Sequence, residues 1–359
     1  MPLTPRFHKL PVADVRRETP DAVSVAFVVP AHLKLDYAFR AGQYLTLRTR
    51  LQDAEIRRTY SICSGEDDGE LRIAIRRIEG GIFSPWAQES LRPGMVMEVM
   101  TPTGRFGVTL RAEAARLHVG FAAGSGITPV LSVLKTVLQR EPASQFFLFY
   151  GSRTSHHILF RSELEDLKDR HLGRLSVFHV LSREQQDVDA LNGRLEQEKL
   201  RQLLAPMLGG AKIDEAYVCG PFGMIDSVCA LLQETSVAPE HVHVERFTSA
   251  LEGRPQPAAA LTPNEAPHAI ASIIFNGTRT NVPVRSDEAL LDAALRAGLD
   301  LPFACKGGMC CTCRARLLEG ETRMAQNYSL EKWEMDAGFV LTCQARPISS
   351  RLVVDYDQQ

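Results

Sequence analysis

The sequence predicts a multidomain protein of mixed α+β and α/β class. An antiparallel β-barrel comes first, a parallel α/β domain follows, and a small β-grasp-like domain closes the chain. Three observations predict this. Residues 12–110 hold short β-type runs punctuated by glycine, proline and aspartate. From about Ala115, apolar runs alternate with segments of helical periodicity. Finally Thr248–His268, with four prolines and almost no large apolar side chain, sets off a last block of roughly ninety residues. A length of 359 residues suits two to three domains. The expected boundaries are 1–112, 113–247, a linker at 248–268, and 269–359.

In the first block the clearest strand is Leu71–Ile75, where Leu71, Ile73 and Ile75 alternate with Arg72 and Ala74 as on a half-buried strand. A Pro93-Gly94 turn and the spacing of the runs point to a barrel. Arg58-Thr59-Tyr60-Ser61 ends one of these runs. A cation for a pyrophosphate, an aromatic to cover a ring and a hydroxyl for a ring nitrogen are what a flavin dinucleotide needs, so Arg58, Tyr60 and Ser61 predict FAD. Gly80-Gly81-Ile82-Phe83-Ser84 follows the Leu71–Ile75 strand and leads to a helix start near Pro85 and Trp86. Gly81, Ile82 and Ser84 then form a candidate phosphate cradle. An ordinary glycine turn is the competing reading.

In the second block the strands are expected at Leu117–Ala122, Gln145–Tyr150, Leu175–Leu181 and Glu215–Cys219. Pro129–Arg140 carries Val130, Leu131, Leu134, Val137 and Leu138 on one helical stripe. Continuous apolar strands alternating with helices predict a parallel sheet covered on both faces. Gly120–Pro129 follows the first strand, and Gly124, Gly126 and Thr128 are the expected dinucleotide contacts, with Thr128 as N-cap and Pro129 at the first helical position. Ser152-Arg153 and Ser182-Arg183 lie at the carboxyl ends of later strands, the edge where such sheets bind ligands. Two hydroxyls and two guanidiniums suit a 2′-phosphate and favour NADPH over NADH. Cys219-Gly220-Pro221 closes the last strand in a turn placed to press Cys219 on a nicotinamide ring; a plain buried cysteine is the alternative.

The last block holds strand-like runs at Ala269–Phe275 and Leu352–Asp355 and a helix at Asp287–Ala297. Eight cysteines are unevenly placed, and Cys305, Cys310, Cys311, Cys313 and Cys343 crowd the C-terminal sixth. In a reducing compartment such crowding points to metal or redox chemistry. Cys305-x4-Cys310-x2-Cys313, with Cys343 beyond a further 29 residues, is the plant-type spacing for a 2Fe-2S cluster, three thiolates from a loop and one from afar. Gly307 and Gly308 let the loop curl, and Thr312 is small enough to leave room. Zinc is the competing ligand set, but zinc sites favour paired Cys-x2-Cys knuckles, and only one is present. Cys311 is surplus and reads as a packed thiol.

Composition narrows the function classes. The chain is 45% hydrophobic, 23% charged and carries a net charge of −2, which offers nothing for nucleic acid or an anionic membrane surface. Met1–Leu10 has no signal-peptide core, and no stretch approaches the roughly 18 apolar residues of a membrane span, so a cytoplasmic protein is expected. His156-His157 and His241-x-His243 read as surface or satisfied residues. No Rieske pattern occurs and no Glu-x2-His spacing reads as a di-iron site, so no oxygenase centre is expected in the chain itself.

These motifs, in this order, resemble the ferredoxin–NADP reductase family with a C-terminal plant-type ferredoxin domain, over nearly the whole chain. The resemblance implies FAD at Arg58, Tyr60, Ser61 and the Gly81–Ser84 loop, and nicotinamide at Thr128 and the Cys219–Pro221 turn. Glu245-Arg246-Phe247 resembles the family's segment beside the flavin, which gives Glu245 and Phe247 a shielding or polarising role. Ser61, Cys219 and Glu245 are then the expected catalytic side chains. The implied activity passes electrons from NADPH through FAD and the cluster to the di-iron oxygenase subunits of a multicomponent complex. Reductases of other aromatic or alkane oxygenases share these modules; a redox sensor and a stand-alone reductase are the rival readings.

Overall fold

A computed structural model describes residues 5–235, 237–247 and 267–358, without the side chains of Ala205 and Met207. The expected tether at 248–268 lies almost wholly outside the described residues. The chain separates into two compact units. One holds His8–Ile56 with Tyr60–Phe247; the other holds the C-terminal residues with Phe7 and Arg57–Thr59.

The first unit contains the barrel and the parallel sheet together. β1 (Phe7–Thr19), β2 (Ala22–Phe27), β3 (Tyr44–Leu51), β4 (Ala54–Ser61), β5 (Leu71–Arg76) and β6 (Val96–Met100) form one sheet in the order β4-β3-β6-β1-β2-β5. Strand β1 runs antiparallel to β2, β2 to β5 and β3 to β6. Inward side chains such as Val25, Leu45, Ile73, Ile75 and Val99 fill the interior. Helix α1 (Phe83–Ser90) lies between β5 and β6 in the chain and adds Phe83 and Ala87 to that core, followed by its C-cap Leu91.

β5 departs from the half-buried strand expected at Leu71–Ile75. Ala74 on its other face joins Cys63 and Phe106 in a second core, against Val130, Leu131 and Leu134 of helix α2 (Ile127–Arg140). Arg72 is buried too, and its guanidinium donates to Asp14 at 2.8 Å, to the Ser24 hydroxyl at 3.0 Å and to Glu70 at 3.1 Å. Alternation misleads here because ion pairing makes a buried arginine tolerable. The same core joins barrel and parallel sheet, so residue 112 does not separate compact units.

β7 (Leu117–Ala123), β8 (Gln145–Ser152), β9 (Leu175–Leu181), β10 (Glu215–Gly220) and β11 (Val242–Arg246) form a parallel sheet in the order β11-β10-β7-β8-β9. Successive residues of β10 feed opposite faces. Tyr217 and Cys219 pack with α2 and α3 (Arg161–Arg170), whereas Ala216 and Val218 pack with α4 (Gln197–Leu208) and α5 (Phe222–Glu234). Both faces are covered, as the continuous apolar runs predict.

In the second unit β12 (Ala269–Phe275), β13 (Thr278–Val284), β14 (Arg314–Glu319), β16 (Phe339–Leu341) and β18 (Arg351–Asp355) form a mixed sheet in the order β13-β12-β18-β14-β16, with β12 and β18 parallel. β15 (Thr322–Met324) pairs with β17 (Ala345–Pro347). Helix α6 (Leu290–Arg296), shorter than the Asp287–Ala297 expected, buries Leu290, Leu291, Ala293 and Ala294 in the core of this unit. A short helix α7 (Lys332–Asp336) opens with a capping box between Glu331 and Glu334. Among the described residues no helix is long and apolar enough to cross a membrane.

Candidate functional site

The barrel and the parallel sheet meet at Ser61. Ser61 ends β4, is buried, and its Oγ donates to Glu245 Oε2 on β11 at 3.1 Å. Burial pushes the Glu245 carboxyl up to about 8, against the downward pull of that hydroxyl. A carboxylic acid that keeps its proton at neutral pH therefore sits beside a buried hydroxyl. Two residues 184 positions apart are joined. Tyr60 packs on the barrel core with its ring centroid 5.8 Å from that of Phe83, and Arg58 is exposed on the same strand. Phe247 is half-buried against the α2 core.

The loop ahead of α1 is built by its glycines. Gly80 has φ +70°, the left-handed region that favours glycine, and a Cβ on Gly81 would stand 3.0 Å from the Ile78 carbonyl oxygen. Ser84 is buried, and its Oγ accepts the Ile78 N–H at 2.9 Å. Ile82 stays exposed at the helix entrance. The hydroxyl thus fixes the loop ahead of the helix start.

After β7, Gly124–Gly126 makes a single tight turn and α2 begins at Ile127 with Gly126 as N-cap. This corrects the expected start. Thr128 lies inside the helix, its hydroxyl donating to the Ser125 carbonyl at 3.0 Å, and Pro129 is the third helical residue. The turn enters helical geometry early because Gly126 must pass under the next strand. A Cβ there would lie 2.1 Å from the Cys219 carbonyl oxygen. Gly220 is equally confined, 2.6 Å from Met224 Cε by the same measure, and Pro221 caps α5. Cys219 is wholly buried and pairs in register with Ala122 and Glu245; burial, with the Glu245 carboxylate adding to it, pushes its thiol well above the ordinary range. It is a neutral thiol.

The two Ser-Arg pairs come together. Ser152 is the last residue of β8, and the Ser182 N–H donates to its carbonyl at 3.0 Å. The Arg183 N–H donates to the Arg153 carbonyl at 2.8 Å. Their backbones run side by side past the ends of β8 and β9.

The four thiols fall into two pairs. Cys305 receives the Gly307 N–H at 3.3 Å, and its own N–H donates to Cys310 Sγ at 3.5 Å. The Cys310 thiol donates to Cys305 and, with backbone N–H groups of Gly307, Met309 and Cys310, holds Cys305 below the ordinary thiol range against burial. In the second pair the Cys313 thiol lowers Cys343 in the same way. Among the described residues no three Cys, His, Asp or Glu side chains gather as for a single metal ion. Two thiols beside two thiols is the division that two bridged irons require, so the residues fit a 2Fe-2S cluster. Cys311, with φ +52°, is half-buried and its Sγ donates to Ser329 Oγ at 3.1 Å. The Cys313 carbonyl accepts from Thr342 Oγ1 at 2.8 Å, and Thr342 accepts from the buried Tyr356 hydroxyl at 2.6 Å.

Sequence reasoning missed three contributors. Arg76, at the end of β5, points its Nη1 at the glycine turn, 2.6 Å from where a Gly124 Cβ would stand, while its Nε donates to Asp21 at 2.9 Å. The Arg76-Arg77 pair closing a strand was the available signal. Glu184 accepts the Ser155 N–H at 2.7 Å and the Ser155 hydroxyl at 3.0 Å, beside the Ser-Arg pairs in sequence. Gln344, next to Cys343, reaches across the cluster loop. The paired histidines are satisfied as expected: His241 and His243 both bond the Glu215 carboxylate, at 3.2 and 2.9 Å.

Comparison with known proteins agrees with this geometry. Family models for an oxidoreductase FAD-binding domain, an oxidoreductase NAD-binding domain and a 2Fe-2S iron-sulfur cluster binding domain match residues 9–107, 121–230 and 273–347. The chain is 44% identical to one of the subunits of the 1,2-phenylacetyl-CoA epoxidase of Escherichia coli, over 98% of both chains. It is 34% identical to the ferredoxin reductase component of 3-ketosteroid-9-alpha-monooxygenase of Mycobacterium tuberculosis, over 99% of this chain and 98% of that one. Phthalate dioxygenase reductase shares the fold, with a TM-score of 0.58 at 23% identity, covering 97% of this chain and 98% of that one.

Proposed function

Because the chain belongs to the oxidoreductase family that joins FAD-binding, NAD-binding and 2Fe-2S domains in one polypeptide, we propose that it is the reductase of a di-iron oxygenase, a phenylacetyl-CoA epoxidase of aerobic phenylacetate degradation. The observation that carries electron transfer is the division of Cys305, Cys310, Cys313 and Cys343 into two pairs in the chain that also sets Ser61 against Glu245. The choice of oxygenase is supported by the 44% identity to the epoxidase component, against 34% for the ketosteroid reductase.

A bound flavin would supply the exchange between a two-electron dinucleotide donor and a one-electron cluster held by Cys305, Cys310, Cys313 and Cys343. The chain's residues prepare that exchange. Arg58 neutralises the flavin's phosphates, Tyr60 covers the ring, and the helix start at Gly81, Ile82 and Ser84 takes the pyrophosphate. Ser61 and Glu245 hold a proton beside the ring, and Phe247 shields it. Gly124, Gly126 and Thr128 seat the nicotinamide dinucleotide, and Cys219, Gly220 and Pro221 bound its ring. Ser152, Arg153, Ser182 and Arg183 take the adenosine ribose, whose 2′-phosphate suits two guanidiniums, so NADPH is the preferred donor over NADH.

Substituting Cys343→Ser tests the route. Cytochrome c reduction should fall by at least about a hundredfold while NADPH–ferricyanide turnover persists, since removing even a residue that supports a metal ligand costs roughly 10–100-fold. If both activities survive, the cluster is off the path. Reconstitution with the oxygenase components and phenylacetyl-CoA, followed by substrate consumption, tests the partner; consumption no faster than without this chain overturns the epoxidase assignment.

A further inference from the structure

The geometry points to the Gln344 side-chain amide as a positioning residue that clasps the two halves of the thiol site together and raises the reduction potential of the cluster they hold. This rests on the assignment of the cluster to the four thiols above.

Gln344 follows Cys343 directly and its backbone is fixed on both sides. Its N–H donates to the Leu341 carbonyl at 2.8 Å, and its carbonyl accepts from Ala325 at 3.0 Å. The side chain is therefore aimed by its backbone. Its Nε2 donates to the Lys306 carbonyl at 2.7 Å and lies 3.8 Å from Cys343 Sγ. An amide carries two N–H bonds, so one group serves both acceptors. Lys306 sits between Cys305 and Gly307 with φ +52°, an uncommon conformation for a residue with a side chain, and the amide bonds the carbonyl of that very residue. Gly308 makes room for the reach: a Cβ there would stand 3.2 Å from Gln344 Cγ. The side chain of Gln344, 38 residues from Lys306, thus ties the loop of Cys305 to the sulfur of Cys343.

The electronic consequence follows from charge. Reduction adds an electron that the cluster's sulfurs share. An N–H dipole aimed at a ligand sulfur stabilises the added negative charge and makes the potential less negative. Gln344→Met keeps the length and removes the N–H; Gln344→Glu removes it and adds a negative charge.

The test uses the full chain, reconstituted anaerobically, with iron and acid-labile sulfide measured before redox titration followed by electron paramagnetic resonance. With full cluster content, both variants should show more negative midpoints than the parent, Glu further than Met. For Glu the expected change is about tenfold in the reduction equilibrium, about 59 mV for a one-electron couple. Gln344→Lys, which restores an N–H donor, should recover at least part of the loss. Unchanged midpoints in loaded Met and Glu variants overturn the proposal. Loss of iron and sulfide from both leaves Gln344 a structural clasp only, and overturns it too. If one variant alone fails to load, the other decides. Absence of iron and sulfide from the parent protein would instead remove the cluster assignment itself.

Discussion

Glu245 shows how one contact and one environment oppose each other. The Ser61 hydroxyl favours the ionised carboxyl and burial favours the protonated one; burial prevails, with the group at about 8. In the unfolded chain the same carboxyl titrates near 4.5. The folded state then holds the extra proton between those values, so stability falls as pH rises from about 4.5 to about 8 and is level beyond. Glu245→Gln should unfold at the same temperature as the parent near pH 4.5 and at a progressively higher one as pH approaches 8. Thermal melts across that range check this. Ferricyanide turnover of the variant should also lose any inflection near pH 8 in kcat/KM. The sequence contained Ser61 and Glu245 but not their meeting: nothing in a strand-end serine announces a partner on a distant strand.

Among the elements, α2 is held most firmly. Its apolar stripe lies in the core shared with β5, Ser132 Oγ donates to the Ser64 carbonyl at 2.7 Å, and Thr136 Oγ1 accepts the Glu66 N–H at 3.2 Å. Lys135, buried, pairs with Asp68 and Glu163. The helix was legible from its Val130–Leu138 stripe, but its start was not. Thr128 and Pro129 are good capping residues, yet Gly126 enters helical geometry first to clear the Cys219 carbonyl. Gly126→Ala has no backbone objection, since φ is −62°. Its cost is the clash alone, about 1–3 kcal/mol as for other overpacked sites. Chemical denaturation should show that loss, and KM for NADPH should rise several-fold as the turns after β7 and β10 are pushed apart. β5 teaches the reverse lesson. Its period-two pattern gave the strand correctly and the exposure wrongly, because the helix that covers Ala74 and the carboxylates that pair Arg72 lie elsewhere in the sequence.

At the scale of the whole molecule, the order of three domains was readable because each carries its own punctuation: turns, then strand–helix alternation, then cysteines. What was unreadable is the set of charges at the starts of β7 and β10. Arg116 and His118 bind Glu141, and Arg116 reaches Glu215 at 3.2 Å, the carboxylate that also takes His241 and His243. Burial would raise the Glu141 carboxyl, but Arg116, the Arg111 N–H, Ser144 and His118 together bring it to about 2. A lowered carboxyl lends stability that is whole above its unfolded value near 4.5 and lost as pH falls toward 2. The shift corresponds to about 3 kcal/mol at neutral pH. Glu141→Gln should lose about that much at pH 7, measured by denaturant titration, and its deficit should shrink as the parent is acidified below 4.5; an equal deficit at every pH would show that charge is not the cause.

The hydrogen-bonded relay from Tyr356 through Thr342 to the Cys313 carbonyl ties the residue that follows β18 to the loop carrying three of the thiols. Losing the Tyr356 hydroxyl would therefore slacken the backbone that presents one thiol without removing an atom of the four that grip.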